Sequence, residues 1–297
     1  MGEIYEIHLL QIFDSPALAG RFGSGVCRNI RDQRIGRTTY RAGVSHDGSD
    51  VNSCSGLSGG TSSSPVTATT ACDGKGSGTD IATAFPGHVG AQADAVDLAN
   101  GNFVTSASAF ETGDVVLTGN DPSAPPGTTH LSVNLDFDGG LGATHDGGAE
   151  VRFEVTLFGN LIGTALIQDS GGVITCNATV AGINACGPSF GGPIISQALL
   201  VPLNAPIQLA LLLEVSAGGG GINESGNANY LSSLDLPVGR DVFNLADGVN
   251  ANSADFSIVD NRFTPSGISV PEPSTWSLLG IGFVAVGILA KRRRQFG

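Results

Sequence analysis

Leu131-Ser132-Val133-Asn134-Leu135-Asp136-Phe137-Asp138 decides the fold class, because every second residue is apolar and those between are Ser, Asn and Asp. Side chains that alternate faces with a period of two bury one face and wet the other only in a β-strand. The pattern returns in Val151, Phe153, Val155 and Leu157, with Arg152, Glu154 and Thr156 between them. Gly159-Asn160 then separates this run from Leu161-Ile162-Gly163-Thr164-Ala165-Leu166-Ile167. Two such residues between apolar runs predict a tight hairpin.

Toward the C-terminus, further runs at 172–180, 194–203, 207–216 and 228–236 are divided by Gly, Pro and Asn clusters such as Gly218-Gly219-Gly220-Gly221. Gln208 to Val215 is rich in the helix former Leu, but its length and its flanking Pro206 and Gly218 predict a buried strand. Short strands at this spacing predict an all-β fold, an antiparallel β-sandwich or jelly-roll-like body over residues 100–265.

Toward the N-terminus the character changes. Residues 46–99 include Ser53-Cys54-Ser55-Gly56-Leu57-Ser58-Gly59-Gly60-Thr61-Ser62-Ser63-Ser64-Pro65, and such Ser/Gly-rich sequence buries too little apolar surface to offset chain entropy. A linker or long loop is expected there. Residues 1–45 carry Arg21, Arg28, Arg31, Arg34, Arg37 and Arg41 and are expected to be disordered. Met1-Gly2-Glu3-Ile4-Tyr5-Glu6 is acidic where a secretory signal needs positive charge, and Leu9-Leu10-Gln11-Ile12-Phe13 is shorter than a signal's apolar core. Ala17-Leu18-Ala19 resembles a cleavage site in the wrong setting, so this segment reads as a mis-called start.

The composition agrees with an extracellular β-protein: 44 Gly, 14% charged residues, one Met and one Trp. The net charge is −13, and between the basic ends only Lys75, Arg152, Arg240 and Arg262 are cationic. Such a middle repels nucleic-acid phosphates, so no nucleic-acid partner is expected. Five Cys show no CxxC pattern. Cys176 and Cys186 can close a short loop as a disulfide, and Cys54 and Cys72 another; free thiols are the alternative in both cases, and Cys27 is unassigned.

Few residues invite chemistry. Gly56-Leu57-Ser58-Gly59-Gly60 fits G-x-S-x-G but lacks the strand before and helix after that would expose a nucleophile. The loop from Asp138 to Gly148, which contains His145-Asp146, could with Asp136 supply oxygen ligands for calcium, as could Asp247, Asn250 and Asn252, yet neither set has the EF-hand order, and solvated loops are the favoured reading. His8, His46, His88 and His130 have no zinc spacing. No catalytic residue, metal or cofactor is therefore assigned, and the chain is expected not to be an enzyme.

The C-terminus is more specific. Val270-Pro271-Glu272-Pro273-Ser274 precedes the uncharged stretch Trp276 to Ala290, which is followed by Lys291, Arg292, Arg293 and Arg294. As a helix that stretch rises roughly 22 Å, short of the roughly 30 Å hydrocarbon core unless its flanks extend it. It predicts a single transmembrane helix with a basic stop on the cytoplasmic side. The three elements from Val270 to Arg294 resemble the PEP-CTERM sorting domain of Gram-negative bacteria. The resemblance implies an exosortase in the inner membrane that recognises Pro271-Glu272-Pro273, cleaves nearby, and passes the transiently held body to the cell surface or beyond. Ser232 to Gly239 and Phe243 to Phe263 also resemble secreted β-rich domains found upstream of this signal, a likeness that carries no active-site residues. The expected function is a structural, non-enzymatic surface or extracellular-matrix protein associated with polysaccharide. The alternative is a carbohydrate-binding or adhesin module, assisted by calcium.

Overall fold

A computed structural model describes residues 39–47, 51–55, 59–62, 66–74, 76–97, 103–182, 189–219 and 223–265. The alternating stretches all become strands. In chain order these are Thr39–Asp47 (β1), Val51–Ser55 (β2), Gly59–Ser62 (β3), Val66–Gly74 (β4), Gly76–Phe85 (β5), His88–Asp97 (β6) and Phe103–Gly119 (β7). Then come Thr128–Thr144 (β8), Gly148–Leu157 (β9), Asn160–Ser170 (β10), Val173–Ala178 (β11), Ser189–Ile195 (β12), Leu199–Pro202 (β13) and Pro206–Gly219 (β14). Ser225–Asp235 (β15), Phe243–Asn244 (β16), Val249–Asn252 (β17), Ile258–Val259 (β18) and Arg262–Phe263 (β19) complete the set. The described residues contain no helix.

A two-stranded sheet, β18-β19, and two large antiparallel sheets result. One runs β11-β10-β9-β14-β7-β1-β3, with β17 also on β7; the other runs β12-β8-β15-β6-β5-β4-β2, with β13 and β16 also on β8. The chain stays in one sheet through β4, β5 and β6, and again through β9, β10 and β11, but changes sheet between β7 and β8, β8 and β9, and β14 and β15.

The apolar half of the deciding stretch behaves as its period demands, whereas Ser132 and Asn134 of the polar half are buried as well, hydrogen-bonded to Asn244 of β16. Leu131, Val133, Leu135 and Phe137 of β8 and Val151, Phe153, Val155 and Leu157 of β9 are buried, and they face one another across a common core. The rings of Phe137 and Phe153 meet there, centroids 4.6 Å apart and tilted by 58°, a favoured edge-inclined geometry. The Leu-rich run expected as a buried strand is β14, paired on both sides by β7 and β9.

Several expectations need correction. Residues 46–99 do not form a linker throughout, because β5 and β6 pair with each other and bury Ala82, Ala84, Val89, Ala91, Ala93 and Ala95. Alternate Ala residues supply an apolar face with too little side chain to register as hydrophobic periodicity, so a body boundary at residue 100 is not observed. The hairpin turn also sits one residue earlier than expected, at Phe158-Gly159, with φ of 50° and 75°. Leu157 pairs with Asn160, whose side-chain amide donates to the Phe158 carbonyl at 3.0 Å. Positive φ at both central residues matches the twist of the flanking strands.

After β15 the chain ties the sheets together, since β16 joins β8 in one sheet and β17 joins β7 in the other. Asn261 secures this segment by accepting from the Phe243 amide at 3.0 Å and donating to the Phe243 carbonyl at 2.8 Å. Of residues 1–45, expected to be disordered, 39–45 instead belong to β1, which pairs with β7; residues 1–38 and the expected transmembrane helix lie outside the described residues.

Candidate functional site

The inward row of β7 runs Thr105, Ala107, Ala109, Glu111, Val115 and Leu117, and one member is a carboxylic acid in a row of apolar and hydroxyl groups. Glu111 is fully buried, and its two oxygens accept the Gly87 N–H at 3.1 and 3.0 Å in the turn between β5 and β6. Burial pushes its pKa well up, opposed by the N–H groups of Gly87 and His88 and reinforced by Asp255. Gly87 has a φ of 75°, and an added Cβ would lie 2.7 Å from the Phe263 ring, so the turn admits only glycine.

His88 follows that turn. Its Nδ1 is hydrogen-bonded to the Asp235 carboxylate at the end of β15, and its Nε2 lies 3.3 Å from Thr83 Oγ1 on β5. A carboxylate only accepts, so Nδ1 carries a proton, and the Thr83 hydroxyl lies within hydrogen-bond reach of Nε2. Phe85 stacks on the imidazole with centroids 4.0 Å apart and planes 17° from parallel. The order hydroxyl, imidazole, carboxylate is that of a nucleophile relay. The backbone N–H groups of Gly87 and His88 both bond Glu111 of β7. The constellation acts as a polar latch between the β5–β6 turn, β7 and β15.

Further carboxylates are perturbed, among them Asp80 and Glu214. Asp80 on β5 is fully buried, and burial raises its pKa to about 8, with Thr105 opposing and Asp94 adding to the rise. On the other face of β9 and β14, Arg152 is paired with Glu154 and stands directly across from Glu214, while Glu150 accepts from Gln168 at 2.7 Å. Burial raises Glu214 to about 7, with Arg152 opposing and Glu154 and Glu150 adding to the rise. Among the described residues no group of three or more His, Cys, Asp or Glu side chains is arranged to hold a metal ion.

Three of the calcium candidates, Asp136, Asn250 and Asn252, engage other protein groups. Asp136 is paired with Arg240, whereas His145 and Asp146 form the turn after β8. Asn250 donates to Asp260 at 2.8 Å, and Asn252 accepts the Asp260 amide at 3.1 Å, so these amides brace the C-terminal segment. Of the G-x-S-x-G match, Gly59 and Gly60 lie in β3 and the Ser lies outside the described residues. Cys176 is half-buried on β11 against the core, but Cys186 is outside the described residues, as is His8. Glu111 was open to detection as a lone acid at an inward position; the partnership of His88 with Asp235, 147 residues away, has no local signal.

Val270 to Ser274, Trp276 to Ala290 and Lys291 to Arg294 also lie outside the described residues, among which no helix is long and apolar enough to cross a membrane. Residues 269–294 match the PEP-CTERM protein-sorting motif. No curated protein and no solved structure matches the chain. The match covers the same proline-flanked acid, apolar stretch and basic end that the sequence displays, and such a motif implies export through the membrane and processing by an exosortase. The chain thus carries a PEP-CTERM protein-sorting motif, which implies delivery to the cell surface or the extracellular space through the exosortase system.

Proposed function

We propose that the β-rich body is a structural, non-enzymatic component of the extracellular polysaccharide layer. The observation that carries the reading is the sorting motif at residues 269–294 placed directly after an all-β body. In this reading Trp276 to Ala290 spans the inner membrane transiently and Lys291 to Arg294 stay cytoplasmic, which leaves the acidic body outside. The use of buried polar groups supports a non-catalytic role, since Glu111 and Asn261 both bind backbone groups. Replacement of Glu272 and Pro273 by Ala should leave full-length protein in the membrane fraction, and a strain lacking the protein should retain less polysaccharide at its surface. Unchanged processing would overturn the sorting half, and an unchanged matrix the structural half.

The carbohydrate-binding alternative is favoured by one feature, the 54% exposed ring of Phe158 at the β9–β10 tip. Loss of co-sedimentation with the cell's own polysaccharide in Phe158→Ala, with the fold intact, would select it.

A further inference from the structure

Cys54 and Cys72 are Cα partners across β2 and β4. Directly opposed residues of an antiparallel pair lie about 4.5 Å apart at Cα in a non-hydrogen-bonded pair and about 5.5 Å in a hydrogen-bonded one. Both values fall in the roughly 4.4 to 6.8 Å window that a disulfide spans, so the register satisfies the bridge whichever pair type it is. We propose that these two residues form a cross-strand disulfide in the exported protein, an inference that rests on delivery to an oxidising compartment.

The topology gives the bond a purpose. β2 ends one sheet and β3 ends the other, while β4 returns to the first. Between Cys54 and Cys72 the chain therefore leaves one sheet, adds the last strand of its neighbour, and comes back. A bond between the two closes this excursion into a ring that holds both terminal strands. Terminal strands otherwise present unpaired backbone groups to other chains, and here they lie in Ser/Gly-rich sequence with little side chain to pack.

The chemistry is thiol–disulfide exchange with a protein disulfide oxidant of the cell envelope. One cysteine thiolate attacks the oxidant's disulfide to form a mixed disulfide, and the second thiolate displaces the oxidant's sulfur. The chain loses two protons and two electrons, and the oxidant's disulfide becomes two thiols.

Trypsin isolates the question, because Ala42 to Lys75 contains both residues without an internal Lys or Arg, whereas Cys27 lies in Phe22 to Arg28. The full chain, purified in detergent and equilibrated with oxidised and reduced glutathione, is quenched, alkylated and digested. The expected peptide 42–75 carries no alkyl group and is lighter than its reduced form by two hydrogen atoms, a shift lost in Cys54→Ser. Two alkylated thiols, or linkage of either residue to Cys27, Cys176 or Cys186, would overturn the bridge. Fractionation of the cells reads delivery independently: a surface chain alkylated at both positions would refute the disulfide and spare export, whereas an unprocessed cytoplasmic chain that still oxidises correctly in glutathione would do the reverse.

Discussion

Both carboxyl oxygens of Glu111, in one sheet, reach the backbone nitrogen of Gly87, in a turn of the other, at 3.1 and 3.0 Å. The contact crosses the core, so the acid replaces water for a buried N–H that has no strand partner. Glu111→Ala removes the acceptor and should cost about 2 to 4 kcal/mol. Glu111→Gln keeps an acceptor oxygen and should cost less than half as much. Urea unfolding of both variants checks this; equal losses would show that the amide does not depend on the acceptor.

Acidification should stabilise the body. Asp80 rises from 3.8 to about 8 and Glu214 from 4.5 to about 7, so their contributions are fully present below the lower values and lost as pH rises through the higher ones. Asp121, lowered to about 2 by hydrogen bonds from Ser123 and Thr129, works in the opposite sense, and its contribution is lost only as pH falls through that value. The melting temperature should therefore climb from pH 8 to pH 5. Asp80→Asn and Glu214→Gln should each flatten the slope.

The paired aromatics carry much of the core. Phe153→Ala should lose about 3 to 5 kcal/mol, as large-to-small changes at fully buried aromatics do. Because Phe153 touches Phe137, the double variant with Phe137→Leu should fall short of the sum of the single losses. Denaturant midpoints for the four proteins of the cycle measure the coupling.

Asn261 clamps the segment after β15 through both halves of its amide, with a φ of 61°. Asn261→Ala loses two hydrogen bonds and places Ala in a left-handed conformation, for a combined cost of about 2 to 4 kcal/mol. Asn261→Gly relieves the backbone penalty alone and should recover about 1 kcal/mol. Amide exchange at Phe243 should accelerate in both variants.

What the sequence could carry follows from the range of its signals. Leu131 to Phe137 and Val151 to Leu157 announce strands because a period of two is local, and the sorting motif is legible because its three parts are contiguous. The Ala-rich strands β5 and β6 escape notice because Ala82 and Ala91 earn their apolar character from burial between larger neighbours, and a methyl group alone does not advertise it.

The sequence by itself determined the all-β class, the acidic middle and the sorting address, each written in residues close along the chain. Only the tertiary structure decided that Glu111 serves Gly87, that His88 finds Asp235, and that β2 and β3 end opposite sheets. Those relationships depend on which strands become neighbours, and strand order is set by the summed packing of two whole sheets, to which no short stretch holds the key.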